Sequence, residues 1–118
     1  GTHASTFGGN PICSAGALAV LSTLTPAFLS EVAEKGEYLR GAIGKMNLPV
    51  VTSVRGMGLM TGVGVSVSHK QAVAALVQNG LLALTAGSDT VRLMPPLTIT
   101  KQEIDAGLSI LEKTLGGM

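Results

Sequence analysis

Residues 12–24, ICSAGALAVLSTL, carry small or apolar side chains on every helical face. No other stretch restricts the chain so strongly. A helix with no polar side is buried all round in a finished molecule. It needs cover on several sides, and the elements after it have faces of their own to bury. The chain has 118 residues, the size of one domain. Charged residues are only 13% of it, about half the usual share for a soluble domain. Much of its surface is therefore expected to lie under something outside this sequence.

The segment before that helix, THASTFGGNP at 2–11, is of the opposite kind. Hydroxyl residues and two glycines suit a loop that brings N–H groups and hydroxyls close to a ligand. Asn10-Pro11 then starts a helix. Ser5 and Thr6 are candidates for an anion site at that entry, or they merely cap a turn. His3 has no Ser, Cys or carboxylate beside it that would form a triad, and reads as a loop residue. Cys13, the one cysteine, reads as helix packing and excludes an internal disulfide.

After the helix, Thr25-Pro26 is an N-cap followed by Pro at the first helical position. The helix it opens has Leu29, Val32, Leu39, Ile43 and Met46 on one stripe. VVTSVR at 50–55 and LMTGVGVSV at 59–67 read as strands around a Gly-Met-Gly turn. In the second strand Leu59, Thr61, Val63, Val65 and Val67 share one face. Met60, Gly62, Gly64 and Ser66 share the other, leaving room for a helix to pack closely. Ser68 with Gln71 makes a capping-box pattern for a short helix carrying Val73, Leu76 and Val77, and Gly80 stops it. LLALT and VRLM read as two short strands joined by AGSD. Thr100 with Glu103 is a second capping box, opening a helix with Ile104, Leu108, Leu111 and Leu115 on one stripe. The order predicts an α+β fold, with helices against a small, mostly antiparallel sheet. The domain boundary falls at residues 24/25, between the loop and apolar helix and the α+β part.

Arg92 stands between Val91 and Leu93, just before Pro95-Pro96. An arginine in an apolar strand is costly unless paired or solvated. It is either an edge-strand residue on a wet surface or a carboxylate ligand, which its planar fork suits. Arg55 carries no assigned role, and His69 reads as a solvent-facing residue in the first turn of its helix. Glycines 56, 58, 62 and 64 lack the spacing and βαβ setting of a nucleotide loop. A net charge of +1 without a basic run argues against nucleic acid. No residues are assigned to a metal, no apolar run reaches the length of a membrane span, and no signal peptide is visible.

Three segments, GTHASTFGGNP at 1–11, VRGMGLMTGV at 54–63 and GLLALTAGSDTVRLMPPLTIT at 80–100, together resemble the C-terminal part of a class III aminotransferase, a pyridoxal-phosphate enzyme of fold type I. The resemblance covers essentially the whole chain, and its first and third segments are the specific ones. It implies a small C-terminal domain preceded by a connecting helix, with the large cofactor domain and its Schiff-base lysine lying upstream. None of the five lysines here matches that lysine, so the chain alone is expected to be inactive. It implies that Thr6, with Ser5 beside it, reaches the pyridoxal 5′-phosphate phosphate in the neighbouring subunit of a homodimer. It implies that Arg92 binds the carboxylate of the amino-acid or 2-oxo-acid substrate.

The implied parent reaction, in arginine biosynthesis in the cytoplasm, moves an amino group from N-acetylornithine to 2-oxoglutarate. The alternatives are a parent acting on ornithine or 4-aminobutyrate, or a non-catalytic interaction module of the same fold. The uncovered helix leads to a further expectation, self-association through residues 12–24.

Overall fold

The computed structural model describes residues 3–118; Gly1 and Thr2 of the first resembling segment lie outside them. The chain forms two compact units, Gly1–Glu31 and Val32–Met118.

In the first unit an irregular loop leads into helix α1, Pro11–Thr23. Asn10 is its cap: the side-chain oxygen accepts from the Cys13 N–H at 2.9 Å, while Nδ2 donates to the Phe7 carbonyl at 2.7 Å. Pro11 at the first helical position needs no N–H partner. Gly9, at φ +78°, makes the left-handed step before the cap. None of its residues is buried within the chain, and the sequence reading looks for its cover outside this sequence. Cys13, expected as packing, is exposed. Helix α2, Pro26–Lys45, starts where Thr25-Pro26 places it, and the Thr25 hydroxyl accepts from the Phe28 N–H at 3.2 Å.

The second unit contains strands β1 (Val51–Met57) and β2 (Met60–Val65), helix α3 (His69–Gln78), strands β3 (Leu84–Ala86) and β4 (Thr90–Leu93), and helix α4 (Lys101–Leu115). The sheet order is β1-β2-β4-β3 and every pairing is antiparallel. The fold is thus α+β, as the pattern predicts. One face carries Thr61, Val63, Val65, Val91 and Leu93, all buried. Leu39 and Ile43 of α2, Ala72 and Leu76 of α3, and Leu108 and Leu111 of α4 complete the same core.

The differences from the sequence reading have local causes. The first turn is tighter than Gly-Met-Gly suggests. Met57 pairs with Met60, so Gly58 and Leu59 alone form the loop, with Gly58 at φ +52° as the first position of such a hairpin needs. The strand expected at 81–85 is shorter and later, at Leu84–Ala86. On α2 the stripe is Val32, Gly36, Leu39 and Ile43; Leu29 is exposed. On α3 it is Ala72 and Leu76, with Val77 exposed. His69, expected to face solvent, is half-buried. The Ser68 hydroxyl accepts from the Gln71 N–H at 3.5 Å without the return bond, whereas Thr100 and Glu103 make both halves of their capping box.

Tyr38 of α2 donates a hydrogen bond to the Asp105 carboxylate on α4, and Lys101 lies 4.4 Å above the Tyr38 ring. The phenol holds the Asp105 carboxyl below its ordinary value, and the same phenol and carboxylate raise Lys101. These exposed contacts join two helices and lie outside the candidate site.

Candidate functional site

The face of the sheet opposite the core carries Ser53, Arg55 and Met57 of β1, Met60, Gly62 and Gly64 of β2, Thr90 and Arg92 of β4, and Leu84 and Ala86 of β3. This follows from register and two-residue alternation. The sequence reading expects a helix against Gly62 and Gly64. The neighbours are instead strand side chains. A Cβ on Gly64 would lie 2.4 Å from the Ser53 hydroxyl, and one on Gly62 would lie 3.2 Å from Thr90 Cγ2 and 3.7 Å from Arg55 Cγ. The glycines make room for polar side chains from the flanking strands rather than for a helix.

That room is a hollow of about 290 Å³, lined by Arg55, Gly56, Met60, Gly62, Thr90 and Arg92 among others. Register puts Arg55 and Arg92 opposite Gly62 from its two sides, so the row across three strands is arginine, glycine, arginine. Arg92 is not on an edge strand: β4 runs between β2 and β3. Its Nε is buried and has no hydrogen-bond partner. A buried guanidinium N–H without a partner is uncommon, because its desolvation goes unrepaid. Among the described residues no ion pair joins Arg55 or Arg92 to a carboxylate.

Arg55 is held in place. Its Nη2 donates to the Thr90 hydroxyl at 2.8 Å and its Nη1 to the Ser53 hydroxyl at 3.2 Å. The Thr90 hydroxyl in turn donates to the Asp89 carboxylate at 2.8 Å. Sequence reasoning gave Arg55 no role. The signal was present in the two-residue alternation, but finding it needs the β1–β2 register, which depends on where the turn falls.

A second hollow of about 280 Å³ lies along Leu82, Met94, Pro95, Pro96 and Ile99, against α4. Its lining is apolar apart from Glu103, whose carboxylate is already taken by the Thr100 N–H at 2.8 Å. Its lining includes no cationic or hydroxyl side chain for anion binding.

Ser5 and Thr6 lie in the loop of the first unit, both exposed. Asn10, not either of them, caps α1. Among the described residues neither hydroxyl makes a hydrogen bond within the chain, so neither caps a turn. Gly8 sits against Ser5: a Cβ there would be 3.1 Å from Ser5 Cβ. The Thr6 hydroxyl is free to take an outside acceptor such as a phosphate oxygen. His3 is an exposed loop residue. Among the described residues no group of three or more His, Cys, Asp or Glu could hold a metal ion. Among the described residues no single helix is long and apolar enough to cross a membrane.

Comparison with known proteins agrees with this architecture. The family model for aminotransferase class-III matches residues 1–115. An acetylornithine aminotransferase of Lactococcus lactis is 44% identical over 98% of this chain and 32% of its own length. An ornithine aminotransferase of Staphylococcus carnosus is 40% identical over 96% of this chain and 29% of its own length. The crystal structure of an acetylornithine aminotransferase from Elizabethkingia anophelis superposes with a TM-score of 0.86 at 34% identity, covering all of this chain and 33% of that one. The chain thus spans about a third of the relatives it matches, the part that supplies an antiparallel sheet and its covering helices. It belongs to the class III aminotransferases, a pyridoxal-phosphate-dependent family.

Proposed function

We propose that this chain is the small-domain part of a transaminase that exchanges an amino group between N-acetylornithine and 2-oxoglutarate, and that Arg92 holds a substrate carboxylate. One observation carries the second point: the Arg92 Nε is buried without a partner, and Arg92 lines a hollow whose lining includes no acidic side chain. The edge of a guanidinium that includes Nε can present two parallel N–H groups to a carboxylate. The reading of the whole enzyme follows from its relatives, several of them acetylornithine aminotransferases. An ornithine aminotransferase at 40% identity keeps ornithine as the second reading of the substrate.

The loop of the first unit fits a phosphate. Thr6 is exposed and, among the described residues, its hydroxyl makes no hydrogen bond within the chain. In this reading Thr6, with Ser5 beside it, donates to the cofactor phosphate of the partner subunit in a cytoplasmic homodimer. Pyridoxal phosphate, when bound, supplies an electron-withdrawing ring that stabilises negative charge at the carbon bearing the amino group. The residues of this chain bind and orient: Thr6 fixes the phosphate end, and Arg92 fixes the carboxylate end of the substrate. Neither moves a proton, and the chain by itself performs no catalysis.

Arg92→Lys in the full-length enzyme tests the assignment. Lysine keeps the charge and loses the fork. A charge-assisted hydrogen bond contributes roughly 1.5–3 kcal/mol, so kcat/KM should fall about tenfold or more for amino acids. It should fall little for matched amines without a carboxylate. Equal losses for both kinds of substrate would make Arg92 structural.

A further inference from the structure

We propose that Arg55 is a second carboxylate-binding residue, closing on the same substrate carboxylate as Arg92 in a two-guanidinium clamp astride Gly62. The proposal rests on the reading of Arg92 above and extends it to a residue that the reading leaves idle.

The arrangement begins with Gly62. It stands opposite Arg55 on β1 and Arg92 on β4, so both arginines project from the same face. A side chain at 62 would meet Arg55 Cγ and Thr90 Cγ2. Glycine therefore lets the Arg55 chain lie across β2 and reach Thr90, two residues from Arg92 on the same strand face. Both arginines line one hollow.

The hydrogen bonds fix which way Arg55 points. The Thr90 hydroxyl has one proton, and it goes to Asp89. Its oxygen is left as an acceptor, and Arg55 Nη2 uses it. Nη1 is held by Ser53. These two bonds engage two of the five N–H donors of a guanidinium, so three remain. Asp89 touches Thr90, but neither arginine forms an ion pair with it or with another described carboxylate. Two cations in one hollow without an acid repel each other, and an anion between them attracts both and outweighs that repulsion. A carboxylate has two oxygens and about four acceptor sites, enough for both forks.

The test uses the full-length holoenzyme and valerate, an unreactive monocarboxylate, with valeramide as its neutral counterpart. Dissociation constants are measured by titration calorimetry for wild type, Arg55→Gln, Arg92→Gln and the double variant. Arg55→Gln is expected to weaken valerate about tenfold and to leave valeramide unchanged. If one carboxylate bridges both residues, the double variant loses clearly less than the product of the single losses. Unchanged valerate binding in Arg55→Gln, or losses that simply multiply, would overturn the proposal while leaving Arg92 in place. Unchanged binding in Arg92→Gln would remove the underlying reading, and the clamp with it. Melting curves check folding. Should Arg55→Gln unfold, Arg55→Lys replaces it: valerate is expected to bind several-fold more weakly than to wild type, and equal affinity overturns the clamp.

Discussion

Gly36→Ala is the substitution whose cost the structure states most directly. On an exposed helix position, replacing Gly by Ala stabilises by about 1 kcal/mol. Gly36 is buried, and a Cβ there would stand 1.8 Å from the Gly58 carbonyl oxygen and 2.5 Å from its carbon. Those atoms are backbone in a two-residue hairpin loop, so they cannot swing aside. Helix α2 would have to retreat by more than an ångström, and overpacking of this kind costs about 1–3 kcal/mol. The same retreat stretches the bond from Arg40 Nη1 to the Gly58 carbonyl, now 2.6 Å. A bond from a charged donor is worth about 1.5–3 kcal/mol. Net of the helix gain, the variant should lose about 2–5 kcal/mol. Gly41 and Gly44 lie on the same helix with nothing within 4 Å of a built Cβ. Changed to Ala, each should gain about 0.5–1 kcal/mol, which makes them internal controls. Urea unfolding of the four proteins, at equal slope, gives the differences. A Gly36→Ala chain as stable as its two controls would refute the claim that α2 is seated on the β1–β2 turn through bare backbone.

The remaining expectations are shorter. Thr6→Val in the full-length enzyme should weaken pyridoxal phosphate about tenfold, read by titration of cofactor absorbance; an unchanged dissociation constant would return Thr6 to an ordinary loop residue. The backbone and hydroxyl bonds of Thr100 hold the Glu103 carboxyl below its ordinary value of 4.5. A depressed carboxylate adds stability above its unfolded pKa and loses it as pH falls through the folded value. Glu103→Gln should therefore flatten stability against pH below about 4.5, and acid titrations that superpose with wild type would contradict this. Ile12, Leu18, Val20 and Leu21 of α1 are each more than half exposed. The isolated chain should self-associate through them, detected by light scattering and by slowed hydrogen exchange at 11–23 on raising concentration. A monomer at all concentrations would count against it.

What the sequence disclosed and what it hid differ by the range of the interaction. Helix starts were legible because a cap is local: Thr25, Thr100 and Asn10 each bond a backbone N–H three residues on. The core face of β2 was legible for the same reason, since alternation is read off the strand itself. Gly36 was not. Nothing in AEKGEY says that this glycine, unlike Gly41 and Gly44, meets a carbonyl 22 positions away. Arg40 is hidden in the same way, because its acceptor is that same distant carbonyl.

The glycine face of β2 is the most instructive case. Two glycines at alternate positions announce that something comes close, and a helix is the common answer. The actual answer depends on the pairing of Gly62 with Arg55 and with Arg92, 30 residues later. Arg92 could be noticed alone, as a charge in an apolar strand. Arg55 could not, because β1 is exposed enough to carry an arginine without comment. Only the sheet puts the two side by side. The placing of Arg55 and Arg92 on opposite sides of one glycine is a property of strand register, and register is set by a turn at Gly58-Leu59 rather than at 56–58.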